Sequence, residues 1–128
     1  TTTPSRGPIV KTEWIKKGTH INAIGADAPG KEELEAGILK KAKVVVDDIT
    51  QAEHSGEINV PMARKTITRK DIHADLGDII AGKKRGRATR EEITVFDSTG
   101  LAILDVAMAD YVYRQAKKER VGKRVKFY

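Results

Sequence analysis

Three short apolar runs in this chain each stop at an aspartate: Ile21 to Ala26 before Asp27, Val44-Val45-Val46 before Asp47-Asp48, and Ile93 to Phe96 before Asp97-Ser98-Thr99-Gly100. The valine run is the most restrictive. Three consecutive β-branched residues suit a strand buried on both faces of a parallel sheet. Such sheets need helical connections, and segments at helical spacing lie between the runs. Glu32 and Glu33, acids that favour a helix N-terminus, precede Leu34, Ile38, Leu39 and Ala42. Thr50 to Glu57 reads as helical up to Gly56. Lys70 to Ala81 predicts another helix, with Ile72, Leu76, Ile79 and Ile80 inward and Gly82 as its stop. Pro8 to Lys17 reads as a short amphipathic helix after the turn-rich stretch Thr1 to Pro8. From Leu101 to Ala116 the chain is apolar nearly all round apart from Asp105 and Asp110, the pattern of a buried helix. Val125 to Tyr128 suggests a last short strand. Strands alternating with helices predict the α/β class with a parallel sheet. Three strands leave little sheet against which the final helix can bury, so something that packs there is expected to be missing.

Composition narrows the function classes. Of 128 residues, 39% are apolar and 33% charged, and the apolar residues fall in blocks, which excludes a disordered chain. Cysteine is absent, so a disulfide framework, a thiol nucleophile and a zinc–thiolate site are excluded. No run approaches the ~20 apolar residues that cross a bilayer, and no secretory leader opens the sequence, so a cytoplasmic protein with no membrane partner is expected. Many Lys and Glu with few aromatics also suit a heat-adapted source. The net charge is +6 and unevenly spread. Lys83 to Arg90 holds five basic residues and no acid, and Arg114 to Lys126 holds seven against Glu119. Such clusters could contact phosphates, but they lack the interleaved aromatics that stack on bases. A solvated loop and helix end explain them better than nucleic acid does.

In an open parallel sheet, ligands bind beyond the carboxyl ends of the strands. The three aspartate-ended runs are therefore the places to look, although Asp, Ser and Thr are also the preferred helix N-caps. Capping explains Asp47-Asp48, where nothing in the sequence converges. Ser98 is compatible with capping and with ligand contact together. Asp27 sits in a Gly/Pro-rich loop four residues ahead of Lys31, where a carboxylate can act as general acid or base and the lysine can hold a phosphate or balance charge. His20, His54 and His73 are too far apart for a local metal motif, and no metal site is expected. The chain contains no GxGxxG, Walker-type or GxSxG sequence. A dinucleotide-binding reading therefore requires that the first half of the sheet lie outside this chain.

The run Gly18-Thr19-His20-Ile21-Asn22-Ala23-Ile24-Gly25-Ala26-Asp27-Ala28-Pro29-Gly30-Lys31, followed by Glu33-Leu34, strongly resembles the ornithine cyclodeaminase/mu-crystallin family. Glu92 to Ala102, with Asp105-Val106-Ala107, forms a second signature and looks most like the archaeal alanine dehydrogenases of that family. Thr2-Thr3-Pro4-Ser5, Val46-Asp47-Asp48, Gln51-Ala52 and Gly56-Glu57-Ile58 match in the same order. The resemblance implies the C-terminal half of a Rossmann-type doubly wound parallel sheet followed by a long buried helix. Residues 1–100 would form part of an NAD-binding domain, and 101–128 a helix and tail returning to an upstream dimerisation domain. It implies NAD as cofactor, an amino-acid substrate and a homodimer. The expected reaction is oxidative deamination of L-alanine to pyruvate and ammonia, with cyclodeaminase or imine reductase as alternatives of the same family. By the same resemblance Asp27 matches the catalytic carboxylate, and Thr3, Asn22, Ala23, Ile24, Gly25, Lys31 and Ser98 match cofactor-contacting positions. The substrate-holding lysine and arginine lie upstream, which makes this chain alone an expected non-catalyst. The rival class is a non-catalytic module that binds a partner or an anion.

Overall fold

The computed structural model describes residues 1–126. Its main sheet has four parallel strands: β2 (His20–Ala23), β4 (Lys43–Val46), β5 (Ile72–Asp75) and β6 (Thr94–Asp97), in the order β2-β6-β4-β5. β1 (Arg6–Val10) and β3 (Glu32–Leu34) form a separate parallel pair. The helices are α1 (Ala36–Lys41), α2 (Ile49–Ser55), α3 (Asn59–Ala63), α4 (Leu76–Ile80) and α5 (Ala102–Glu119). The parallel α/β class stands, with more and shorter strands than the sequence reading expected.

One face of the sheet carries the core. Ile21, Ala23, Val44, Val46 and Val95 pack there against Leu34, Ile38, Leu39, Ala52, Ile58 and Ile67. The valine run is consequently buried on one face only. Val44 and Val46 are fully buried, while Val45 projects with His20, Asn22 and Phe96 into a crevice of about 350 Å³ on the opposite face. The pleat alternates side chains, and that face is covered only in part, by Leu76, Ile79 and the loop of Gly86 and Arg87.

Four expected elements differ. The helix over Pro8 to Lys17 is instead β1 followed by one 3₁₀ turn, Thr12–Trp14. Pro8 favours extended geometry in the residue before it, and the Glu35 carboxylate takes the Thr12 amide at 2.7 Å, with Glu35 N donating to Val10 O at 3.0 Å. Glu32 and Glu33 lie in β3, not at a helix start, because Glu32 N reaches Ser5 O and the backbone amides of Glu33 and Leu34 reach the Glu57 carboxylate. The helix over Lys70 to Ala81 splits into a 3₁₀ turn (Arg69–Asp71), β5 and α4. A Thr68–Asp71 capping box starts the turn, and pairing with β4 draws Ile72–Asp75 into the sheet, where neighbouring strands override local period. Ile80 is exposed, not inward, although Gly82 ends the segment with a positive φ as expected.

The helix α5 is the fourth element to differ. It forms at the expected place but buries no residue: Ile103, Leu104, Met108, Tyr111 and Tyr113 are all more than half exposed. An apolar helix stays exposed when no element offers it a face, and none of the described residues does. Val125 and Lys126 have no regular structure, and the rest of the expected last strand, Phe127 and Tyr128, lies outside the described residues.

Candidate functional site

β2 and β6 are adjacent and parallel, so their carboxyl ends lie side by side. Ser98 N donates to Ala23 O at 2.9 Å, which places the Ser98-Thr99 loop beside Ile24-Gly25. The first residues of the chain run along the other edge of β2. Thr1 N donates to Asn22 O at 2.8 Å, and Ile24 N donates to Thr1 O at 2.9 Å. This brings Thr3 against Gly25 so closely that a Cβ on Gly25 would lie 2.5 Å from Thr3 N and 2.6 Å from Glu33 Oε2, and would collide with Thr3 O. Only glycine fits at this crossing of two backbones.

The loop after Gly25 presents Asp27 and Lys31, whose side chains pair at 2.5 Å. Asn59 holds the loop from beneath: its Oδ1 accepts from Gly30 N at 3.0 Å, and its Nδ2 donates to Lys31 O at 2.9 Å and to Gly56 O. The Lys31 ammonium, by hydrogen bond and by charge, holds the Asp27 carboxyl below the usual carboxylate range.

The aspartates at the ends of β4, β5 and β6 do something that the sequence reading missed. Each accepts a backbone N–H from a neighbouring connection. Asp47 takes Thr99 N at 2.6 Å and both the Ser98 and Thr99 hydroxyls, at 3.3 and 2.9 Å. Asp75 takes Ile49 N at 2.9 Å. Asp97 takes Glu57 N at 2.8 Å and Ile58 N at 3.2 Å. Capping holds for Asp48, whose side chain accepts from Gln51 N at 2.7 Å, but Asp47 is a staple between the ends of β4 and β6. Asp27 differs from all three: its carboxylate is 61% exposed and bonds the Lys31 side chain instead of a distant amide.

Two buried glutamates complete the support. Glu33 Oε1 accepts Thr3 N at 2.6 Å and its Oε2 accepts Gly25 N at 3.1 Å. Burial would raise the Glu33 carboxyl, but the neighbouring polar group of Thr1 and the amides of Thr3 and Gly25 outweigh it and hold the value below the usual one. Glu57 Oε1 accepts Glu33 N at 2.8 Å and Leu34 N at 2.6 Å, while Oε2 is buried without a partner. Burial, reinforced by the charges of Asp97 and Glu33, pushes Glu57 up to about 7. Burial, with Asp47 adding to it, likewise pushes Asp97 up to about 7. Sequence spacing gave no sign of Glu33, Glu57, Asp97 or Asn59 as site supports, because their partners lie 24 to 40 residues away in most cases.

Of the eight residues singled out by sequence, Thr3, Ala23, Gly25 and Ser98 meet at the carboxyl ends of β2 and β6, with Asp27 and Lys31 in the adjoining loop. Ile24 is 41% exposed beside them, an apolar side chain held partly out of the core. The Asn22 side chain turns to the opposite face of the sheet and pairs with His20 Nε2 at 3.1 Å. The basic clusters are partly spent on the fold: Arg87 donates to Gly18 O, Thr19 O and Thr94 Oγ1, Lys83 pairs with Asp78, and Arg114 pairs with Asp110. Among the described residues no group of His, Asp and Glu could hold a metal ion, and no helix is long and apolar enough to cross a membrane.

The fold is that of a parallel α/β protein ending in a long helix, and the comparisons name its family. The chain matches the family model described as ornithine cyclodeaminase/mu-crystallin over residues 1–120, and it belongs to that family. It is 61% identical to the alanine dehydrogenase of Archaeoglobus fulgidus over all of its own 128 residues, which span 40% of that relative. A solved archaeal alanine dehydrogenase dimer with bound NAD superimposes with a TM-score of 0.90 over the whole chain, at 61% identity and 40% of the larger chain. The Δ1-pyrroline-2-carboxylate reductase of Thermococcus litoralis, solved with NADH and L-proline, superimposes with a TM-score of 0.87 at 42% identity, over 97% of this chain and 39% of its own.

Proposed function

We propose that this chain is the C-terminal part of an NAD-dependent alanine dehydrogenase, which oxidatively deaminates L-alanine to pyruvate and ammonia. Residues 1–100 form part of the cofactor-binding domain, and 101–128 lead back to a dimerisation domain. The exposed apolar surface of α5 supports this division, since Ile103, Leu104, Met108 and Tyr111 need a partner that residues 1–100 do not offer. The observation that carries the reading is the Asp27 loop beside the Gly25–Ser98 strand ends, on a chain 61% identical to an alanine dehydrogenase throughout.

The residues fit a nicotinamide dinucleotide. Ile24 gives an apolar surface at the strand ends, Ser98 a hydroxyl, and Thr3 and Gly25 backbone pressed close to the same place. Thr3, Ala23, Ile24, Gly25, Lys31 and Ser98 would hold the cofactor, with Asn22 contributing through its backbone. When bound, the cofactor supplies the hydride acceptor for the substrate's α-carbon. Asp27 moves the protons. Its carboxyl, held below the usual range by Lys31, stands as a carboxylate at neutral pH and can take a proton from the substrate ammonium or from the water that replaces it. Lys31 also limits the negative charge that Asp27 brings to the site.

The test is steady-state assay of the complete gene product with L-alanine and NAD, and in reverse with pyruvate, ammonia and NADH. Δ1-Pyrroline-2-carboxylate and ornithine serve as competing substrates. Alanine turnover that disappears in Asp27→Asn, with NADH binding retained, supports the reading. Turnover of the cyclic imine or of ornithine in preference to alanine replaces it with the sister activity. Absence of any NAD(H) binding overturns it in favour of a non-catalytic module.

A further inference from the structure

Resting on the dinucleotide-binding reading above, we propose that Glu33 is a positioning residue of the cofactor cleft, whose carboxylate sets the distance between the backbones at Thr3 and Gly25. The two oxygens are divided between the two segments. Oε1 takes Thr3 N at 2.6 Å from a residue 30 positions earlier, and Oε2 takes Gly25 N at 3.1 Å. The side chain is fully buried, so no water competes for either bond.

The base of Glu33 is itself fixed on three sides. Its backbone N donates to Glu57 Oε1 at 2.8 Å, and β3 is paired to β1 through Arg6–Glu32 and Val10–Leu34. Glu32 N also donates to Ser5 O at 3.2 Å, just after Thr3 on the same segment. The carboxylate therefore reaches from a rigid strand to two loop backbones, and those backbones are the ones pressed together at Gly25. The polar group of Thr1 beside it and the bonds from the Thr3 and Gly25 amides hold its carboxyl below the usual range despite burial, so both oxygens remain acceptors at neutral pH.

This geometry separates positioning from simple packing. Glu33→Gln keeps volume and one carbonyl oxygen but turns an NH₂ donor toward an N–H donor, so only one of the two backbones can stay attached. Glu33→Asp keeps the charge but is one methylene too short to span both. Losing one of the two buried hydrogen bonds is expected to weaken NADH binding about tenfold. The experiment measures NADH dissociation constants and thermal melts on the complete gene product, its Glu33→Gln and Glu33→Asp forms, and Ile38→Ala, a variant of the buried core on α1. The expected result is weakened NADH binding in the folded Glu33 variants, an unchanged constant in Ile38→Ala despite its lower melting temperature, and an unchanged KM for the amino acid once NAD is saturating. If Glu33→Gln does not fold, Glu33→Asp carries the comparison. Folded Glu33 variants that lose melting temperature as Ile38→Ala does but bind NADH as tightly as wild type overturn the proposal. Failure of the wild-type protein to bind NADH is a different outcome, which overturns the dinucleotide reading beneath it.

Discussion

Replacing Glu57 with glutamine is expected to favour the folded protein progressively as pH rises from 5 to 8. Glu57 is fully buried with one oxygen bonded to the amides of Glu33 and Leu34 and the other unpartnered. Its surroundings are burial first and then the negative charges of Glu33 on β3 and Asp97 on β6, which carry the carboxyl from 4.5 to about 7. A carboxyl raised in the folded state binds its proton more tightly there than in the unfolded chain. Its stabilisation is complete below about 4.5 and lost as pH rises through about 7. At about 1.4 kcal/mol per pH unit, the loss between pH 5 and 8 is about 2–3 kcal/mol. Asp97, raised from 3.8 to about 7, adds a loss of the same sign. Glutamine keeps a carbonyl oxygen for the two amides and cannot ionise, so it resembles the protonated form at every pH. Urea unfolding of wild type and Glu57→Gln, followed by far-ultraviolet circular dichroism from pH 5 to 8, should show the difference moving by about 2–3 kcal/mol in favour of the variant. A difference that stays constant across the window, or that moves toward wild type, refutes the reasoning.

Asp27→Asn should lower kcat by about 10²–10⁴-fold while leaving NADH affinity in place, as read by steady-state kinetics and fluorescence titration. Lys31→Ala removes the charge and hydrogen bond that depress Asp27, so the acid limb of the pH–rate profile should move to higher pH; a limb that stays put would separate that limb from Asp27. Gly25→Ala drives a Cβ into the Thr3 backbone and should cost about 1–3 kcal/mol of stability together with cofactor affinity, measured by melting and titration. Ile38→Ala empties a fully buried site and should cost about 2–5 kcal/mol in urea unfolding.

The parts of the fold legible in the sequence were those whose pattern is local. The strands around Val44 and Val95 declared themselves by β-branched runs, the one at Ile21 by alternation of Ile21 and Ala23 with small or polar residues, and α2 by its spacing and by the Asp48 cap. β1, β3 and β5 did not, because each is three to five residues long and exists through pairing with a distant strand. Glu32-Glu33 has the composition of a helix start, yet the Glu57 carboxylate offers its amides a partner no window around residue 33 contains. The exposed flank of α5 was legible as a mismatch: an apolar helix with too little sheet to cover it.

At the site, residue type was legible but division of labour was not. Asp27, Asp47 and Asp97 satisfy the same local description, an acid closing an apolar run, and sequence offers capping or ligand contact as the alternatives, while Asp75 ends a strand read from sequence as part of a helix. Asp47, Asp75 and Asp97 take a third course and staple neighbouring connections through backbone amides. Buried carboxylates gain from such bonds because an unmade one is costly. Once spent in that way, a carboxylate has little capacity left for substrate. Asp27 alone among the four keeps an exposed carboxylate, bonded to a side chain instead of a distant backbone amide. The distinction that matters for chemistry is therefore what the acid's oxygens are already holding, and that is a property of chain segments 26 to 52 residues apart.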